Sequence, residues 1–227
     1  MTADRLTLTA VHDGFVFTAD HAHPQGVRKG GVIVVQEIFG LDRYVQEDVA
    51  RWAERGFEVV APAMFDRQER GFVAGHDPDG FEAGVRYAKA NGPENAMGDI
   101  QACIDFLAPR GPVFVVGYCY GGTMAWLAAA RCQGLSAAAS YYGGQVAGMA
   151  RFALSCPVIV HLGRKDPHIP ADEMKAAIAA AHPEVPVHIY EASGHGFNND
   201  GRPDSDLADA EMARARTLDF FVANSGG

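Results

Sequence analysis

The chain has 227 residues, 48% hydrophobic and 21% charged, with a formal net charge of −9, enough apolar material for one buried core and read as a single domain over 1–227. The acidic balance and the lack of any Lys/Arg cluster exclude phosphate-backbone binding, so nucleic acid is not an expected partner. No apolar run approaches the roughly 20 residues that cross a bilayer, the N-terminus has no basic-then-apolar leader, and the four cysteines at 103, 119, 132 and 156 form no CxxC pair or metal-ligand spacing; the expectation is a reduced, cytoplasmic protein with no membrane partner and no metal.

In chain order, LTLTAV and GFVFTAD alternate apolar and polar residues on either side of His12-Asp13-Gly14. Asp-Gly is a hairpin-turn signal, which predicts an antiparallel edge pair. GVIVVQ follows, a β-branched run of the kind buried on both faces of a sheet. Residues 43–55 place Val45, Val49, Trp52 and Ala53 at helical spacing, and Gly56 is positioned to stop that helix. FEVVAPAMF is the next strand. Residues 66–92, rich in Gly, Asp and Arg, read as an irregular excursion long enough to cover a pocket. Beyond it the pattern predicts a helix over 95–107, the strand PVFVVG, a helix over 123–130 and the short strand LSAAASYYG. PVIVHLG, a helix over 172–181, PVHIYEA and a helix over 206–222 complete the chain. This alternation predicts an α/β fold with a mostly parallel sheet flanked by helices.

The segment GYCYGG at 117–122 lies where the strand PVFVVG gives way to a helix. Its Gly-x-Cys-x-Gly spacing is that of a nucleophile elbow, with sulfur in place of oxygen. A nucleophile on such a turn sits in a strained backbone conformation, so Gly117 and Gly121 must be free of side chains for the flanking backbone to pass. Cysteine is also a common buried hydrophobe. That reading suits Cys103, Cys132 and Cys156, but it explains neither the glycines around Cys119 nor its place at a strand end.

The chain order nucleophile, acid, histidine points downstream. Asp166 follows PVIVHLG in the turn RKDP, and His195 follows PVHIYEA between two glycines. An Asp before Pro is also an ordinary turn former, and Glu191 competes as the orienting carboxylate; the chain order and the strand-end turn favour Asp166. His12, His21, His23, His76, His168 and His182 read as surface residues, and His161 and His188 as strand positions. His21 and His23 alone make a weak case for a shared metal.

QEIFG at 36–40, GYCYGG at 117–122, GRKDPHIP at 163–170, GHGF at 194–197, YYG at 141–143 and the terminal RTLDFF together resemble the dienelactone hydrolase family, the carboxymethylenebutenolidase-like branch of the α/β-hydrolases. The resemblance implies the α/β-hydrolase fold and a Cys119–His195–Asp166 triad. It also implies a role for Glu37, which would contact the resting thiol and help take its proton once substrate displaces it. A free thiol with a pKa near 8.5 is only about 3% thiolate at neutral pH, so some base or field must activate it. The backbone N–H groups of Ile38 and Tyr120 are the expected oxyanion hole.

The family holds the carboxylate of dienelactone with two arginines, and the sequence departs from that pattern. Asn199 stands where one is expected, with Arg202 three residues on, and Phe81 stands where the other is expected, with Arg86 nearby. With Tyr142 these are the expected substrate-binding positions. A neutral Asn cannot replace the charge-assisted fork of an arginine, so the reading is hydrolysis of a small, less acidic ester or lactone through a thioester. A true carboxymethylenebutenolidase is the alternative, and a thiol-based binding or redox protein without turnover is the alternative of another class. No cofactor is called for; the partner is a small-molecule substrate, and the chain is read as a monomer, with a small homo-oligomer left open.

Overall fold

In the computed structural model, which describes residues 3–226, the alternating N-terminal segments form β1 (Asp4–Thr9) and β2 (Val16–Ala22). They pair antiparallel from Asp4 opposite His21 to Thr9 opposite Val16, as the Asp-Gly turn predicts. The β-branched runs become β3 (Gly30–Val35), β4 (Phe57–Pro62) and β5 (Val113–Tyr118), every residue of which is buried. β6 (Ala137–Tyr141), β7 (Val158–Gly163) and β8 (Val187–Tyr190) continue the parallel array. The sheet order is β1-β2-β4-β3-β5-β6-β7-β8, with β2 antiparallel to β4 and all later pairs parallel.

Helix α1 (Arg43–Glu54) is capped by Asp42, whose carboxylate accepts from Tyr44 N and Val45 N, and it buries Val45, Val49, Trp52 and Ala53 as their spacing requires. Trp52 stacks on Phe221 of the terminal helix α6 (Leu207–Ala223), and Phe221 stacks on Phe114 of β5 at 4.6 Å between ring centroids. These aromatic contacts tie the two helices to the centre of the sheet. Helices α3 (Tyr120–Arg131) and α5 (Ala171–Ala181) fall within a few residues of the predicted segments, and a short α4 (Val146–Met149) has no counterpart in the sequence reading.

The excursion over 66–92 differs from its prediction. Its second half is helical, because α2 runs over Pro78–Leu107. Asp77 caps that helix by accepting from Gly80 N, and Pro78 occupies its first turn, where a missing N–H is harmless. Gly92, at φ 67 and ψ 168, with Pro93 after it, breaks the helix into two arms. The low helix propensity of Gly and Pro hid the first arm from a reading by composition. Gly84 lets that arm lie against the loop after β3: a Cβ there would meet Ile38 O at 2.2 Å.

Candidate active site

Cys119 occupies φ 52, ψ −110 between the end of β5 and the start of α3, a conformation that a side-chain-bearing residue adopts only where its surroundings enforce it. The enforcement is visible. A Cβ on Gly117 would lie 1.9 Å from Gly121 O, and one on Gly121 would lie 2.2 Å from Val35 O. Cys119 N donates to Tyr141 O at 3.0 Å and Gly121 N to Gln36 O at 3.1 Å, so the turn is fastened to the strand-end loops on both sides. Gln36, fully buried, accepts from Met64 N and donates to Glu37 O, and so orders the loop carrying Glu37 and Ile38. Neither Ile38 N nor Tyr120 N has a backbone or side-chain acceptor among the described residues, and both residues line the cleft above the sulfur.

The turns after β7 and β8 are joined by Lys165 N donating to Ser193 O at 2.9 Å. This places Asp166 Oδ2 2.7 Å from His195 Nδ1, while Asp166 Oδ1 accepts from His168 N at 2.8 Å. Both carboxylate oxygens are therefore committed, and the ring orientation is set. Burial disfavours the charged form of His195, but the hydrogen bond to Asp166 and the negative charge that Asp166 and an ionised Cys119 place beside the ring outweigh it and push it up to about 10. The Tyr142 ring, at φ 38 and fully buried, flanks His195 at 5.1 Å, and its hydroxyl has no hydrogen-bond partner.

Glu37 is buried in the loop after β3. Its Oε2 accepts from Asn199 Nδ2 at 3.2 Å and lies 3.8 Å from Arg202 Nη1, while Oε1 has no partner. Among the described residues no hydrogen bond joins Glu37 to Cys119. Burial raises the Glu37 carboxyl above its ordinary range, and the charges of His195 and Arg202 oppose the rise.

The cleft has a volume of about 510 Å³. Cys119 and His195 form its floor; Ile38, Val85, Ala88, Met124, Met149 and Ile169 make its walls largely apolar. Phe81 and Lys89 from the first arm of α2, with Gly92 at the kink, supply one side. Such a chamber suits a small substrate held mainly by apolar contact.

The dienelactone hydrolase family model matches residues 17–225. The chain belongs to the dienelactone hydrolase family. It is 29% identical over 220 residues to the "Carboxymethylenebutenolidase" of Pseudomonas putida, covering 93% of both chains. It is 31% identical over 209 residues to a "Putative carboxymethylenebutenolidase" of Yersinia pestis, covering 84% of this chain and 77% of that one. A "Putative Dienelactone Hydrolase" structure from Klebsiella pneumoniae superposes with a TM-score of 0.81 at 28% identity, over 96% of this chain and 98% of that one. The architecture is accordingly the α/β-hydrolase fold, with the antiparallel hairpin at its N-terminal edge. No described helix is long and apolar enough to cross a membrane.

Against this family frame, several residues stand elsewhere than their sequence reading. Arg86 is exposed, lies over the Tyr87 ring at 5.0 Å and does not line the cleft; the lysine or arginine of that wall is Lys89, nearly one turn further along α2. Asn199 and Arg202 meet Glu37 and do not line the cleft, because the turn after His195 folds back over the QEIFG loop; Tyr142, just past β6, is fully buried against the His195 ring and does not line it either. Phe81 does line the cleft, 53% exposed at its mouth. His76 is an exposed residue, as its sequence reading has it, but its side chain, 19% exposed, is hydrogen-bonded on both ring nitrogens. His168 is exposed but lines the cleft, edge-on to His195 at 5.6 Å. No local pattern marks Lys89, His76 or His168, since each reaches the site through contacts distant in sequence.

His21, His23 and Glu58 come within metal-coordinating distance of one another. Glu58, however, already receives Arg28 on Oε2, Arg110 on both oxygens and His21 on Oε1. Two guanidinium groups on the carboxylate oppose a further cation, and the group fits an ion-pair cluster better than a metal centre.

Proposed function

We propose that this member of the dienelactone hydrolase family hydrolyses small, uncharged esters or lactones through Cys119, with His195 and Asp166 completing a triad. The observation that carries the reading is Cys119 on its enforced elbow at the floor of an apolar cleft, beside a histidine held by a buried carboxylate. In the proposed cycle the sulfur, its proton on His195, attacks the carbonyl carbon. The oxyanion forms at Ile38 N–H and Tyr120 N–H, where one donor is typically worth about 3 kcal/mol. The C–O bond then breaks, the leaving oxygen takes the proton from His195, and a thioester remains on Cys119. Water attacks that thioester as it gives a proton to His195, the C–S bond breaks to release the acid, and the proton passes from His195 to the sulfur.

The uncharged-substrate preference rests on Asn199 and Arg202. The first is neutral, and both are engaged with Glu37 instead of the cleft. The first arm of α2, with Phe81 and Lys89, is proposed as the cover of the acyl pocket, within a single catalytic domain. Lys89 is the observation that favours the alternative, a true carboxymethylenebutenolidase, because an exposed cation on the cleft wall could receive a substrate carboxylate.

Steady-state kinetics on p-nitrophenyl esters, simple lactones and a dienelactone carboxylate test these readings together. We expect turnover of neutral substrates that Cys119→Ala abolishes. Turnover surviving that change would place the chemistry elsewhere, and a carboxylate substrate preferred by orders of magnitude would overturn the neutral preference. Absence of turnover on every substrate would favour the non-catalytic thiol reading.

A further inference from the structure

Among the described residues Arg202 has no carboxylate within 3.5 Å; what orients it is a histidine. Its Nη1 donates to His76 Nδ1, and because a guanidinium can only donate, Nδ1 must be the unprotonated nitrogen. Nε2 therefore carries the hydrogen and donates to Asp42 Oδ2 at 2.6 Å. Asp42 divides its carboxylate, Oδ1 capping α1 and Oδ2 holding His76. The imidazole is also clamped by rings, stacked on Phe39 at 3.7 Å and edge-on to Tyr44 at 5.3 Å. Three loops separated in sequence thus form one line, Asp42–His76–Arg202–Glu37, which ends on a buried carboxylate that feels the charge of His195.

We propose that His76, oriented by Asp42, is a positioning residue that fixes Arg202 against Glu37 and so keeps the Glu37 carboxylate charged beside His195. The inference deepens the hydrolase reading and rests on it. A buried carboxylate with one oxygen unpartnered tends to take up a proton, and a fixed guanidinium 3.8 Å away is what opposes this together with His195. The charged or titratable groups acting on Glu37 are His195, Arg202, Asp42 and His76, with the Tyr142 hydroxyl also close enough to feel its charge. Those facing His76 are Asp42, Arg202 and Glu37, with the Tyr44 ring beside it. Of these, Arg202 is the cation whose geometry depends on His76. Losing it raises the pH at which Glu37 becomes charged.

The test is the pH profile of Cys119 alkylation by iodoacetamide, read at the Cys119 peptide by mass spectrometry, alongside kcat/KM for a p-nitrophenyl ester. His76→Ala should move the acid limb of both profiles upward by about one pH unit, a tenfold loss on that limb. His76→Asn, whose Oδ1 replaces the Nδ1 acceptor, should restore the limb. Arg202→Gln should reproduce the shift, which covers the case of His76→Ala failing to fold. Glu37→Gln, which cannot ionise, should make the limb insensitive to His76, so that adding His76→Ala to it changes the rate by less than about twofold. A His76→Ala limb coincident with wild type, or His76 and Glu37 effects that multiply, would overturn the proposal. The alkylation readout needs no turnover, so a protein that hydrolyses nothing would sink the hydrolase reading while still testing the relay.

Discussion

Asp166→Asn separates the charge of this carboxylate from its shape. The wild-type oxygen 2.7 Å from His195 Nδ1 accepts a proton, whereas an amide placed there with Oδ1 still serving His168 N would present Nδ2–H to the ring. The imidazole would then carry its proton on Nε2, the nitrogen that has to accept from the thiol. Moving the ring from 6.5 to about 10 corresponds to roughly 5 kcal/mol in favour of its charged form. Asp166 and Cys119 share that effect against the opposing cost of burial, so removing the carboxylate's charge loses part of it, to which the tautomer penalty is added. A loss of kcat between about a hundredfold and ten-thousandfold is expected on a p-nitrophenyl ester. In an NMR titration His195 should fall by roughly one to three pH units. The sign for stability follows from a raised histidine: its contribution is full below 6.5 and disappears as the pH climbs through about 10. The melting-temperature difference between wild type and variant should therefore be largest in weak acid and vanish in strong base. Activity within threefold of wild type, with an unmoved His195 titration, would refute the reasoning.

Gly121→Ala should destabilise the protein by about 3 kcal/mol or more, because its Cβ would meet the backbone oxygens of Val35 at 2.2 Å and Gln36 at 2.6 Å, neither of which is a movable side-chain end. Urea unfolding measures this, and a change under about 0.5 kcal/mol would contradict the packing account of the elbow. Glu58→Gln should cost roughly 3 kcal/mol near neutral pH. Burial alone would raise that carboxyl, but Arg110, His21 and Arg28 outweigh it and hold it near 2 against an ordinary 4.5. The wild-type advantage is therefore present above 4.5 and should fade as the pH drops through about 2, which acid unfolding of the two proteins would follow.

The succession of strands and helices along the chain and the tight turn at Cys119 were legible in the sequence because both rest on local rules, whereas the placement of β4 outside β3 was not. A run such as VIVV has one stable environment, and glycines at 117 and 121 flanking a strand-end cysteine leave few backbone alternatives. The pairing of Asp166 with His195 was legible for a related reason, since parallel strands bring their C-terminal turns to one edge of the sheet. The first arm of α2 was not, because the cap at Asp77 and the break at Gly92 lie in a stretch whose composition reads as loop.

What the sequence determined by itself was the chemistry offered at the sheet edge: a thiol, a histidine and a carboxylate, each on its own strand-end turn. What only the tertiary structure decided was the use of the residues around them. Asn199 and Arg202 sit in one turn and read alike as positions for substrate, yet the backbone carries both to Glu37 instead of into the cleft. His76 reads as surface, yet α1's capping aspartate and Arg202 meet across its ring. Such contacts depend on where chain segments far apart in sequence come to rest, and hydrogen-bond partners across those distances leave no spacing in the chain to be read.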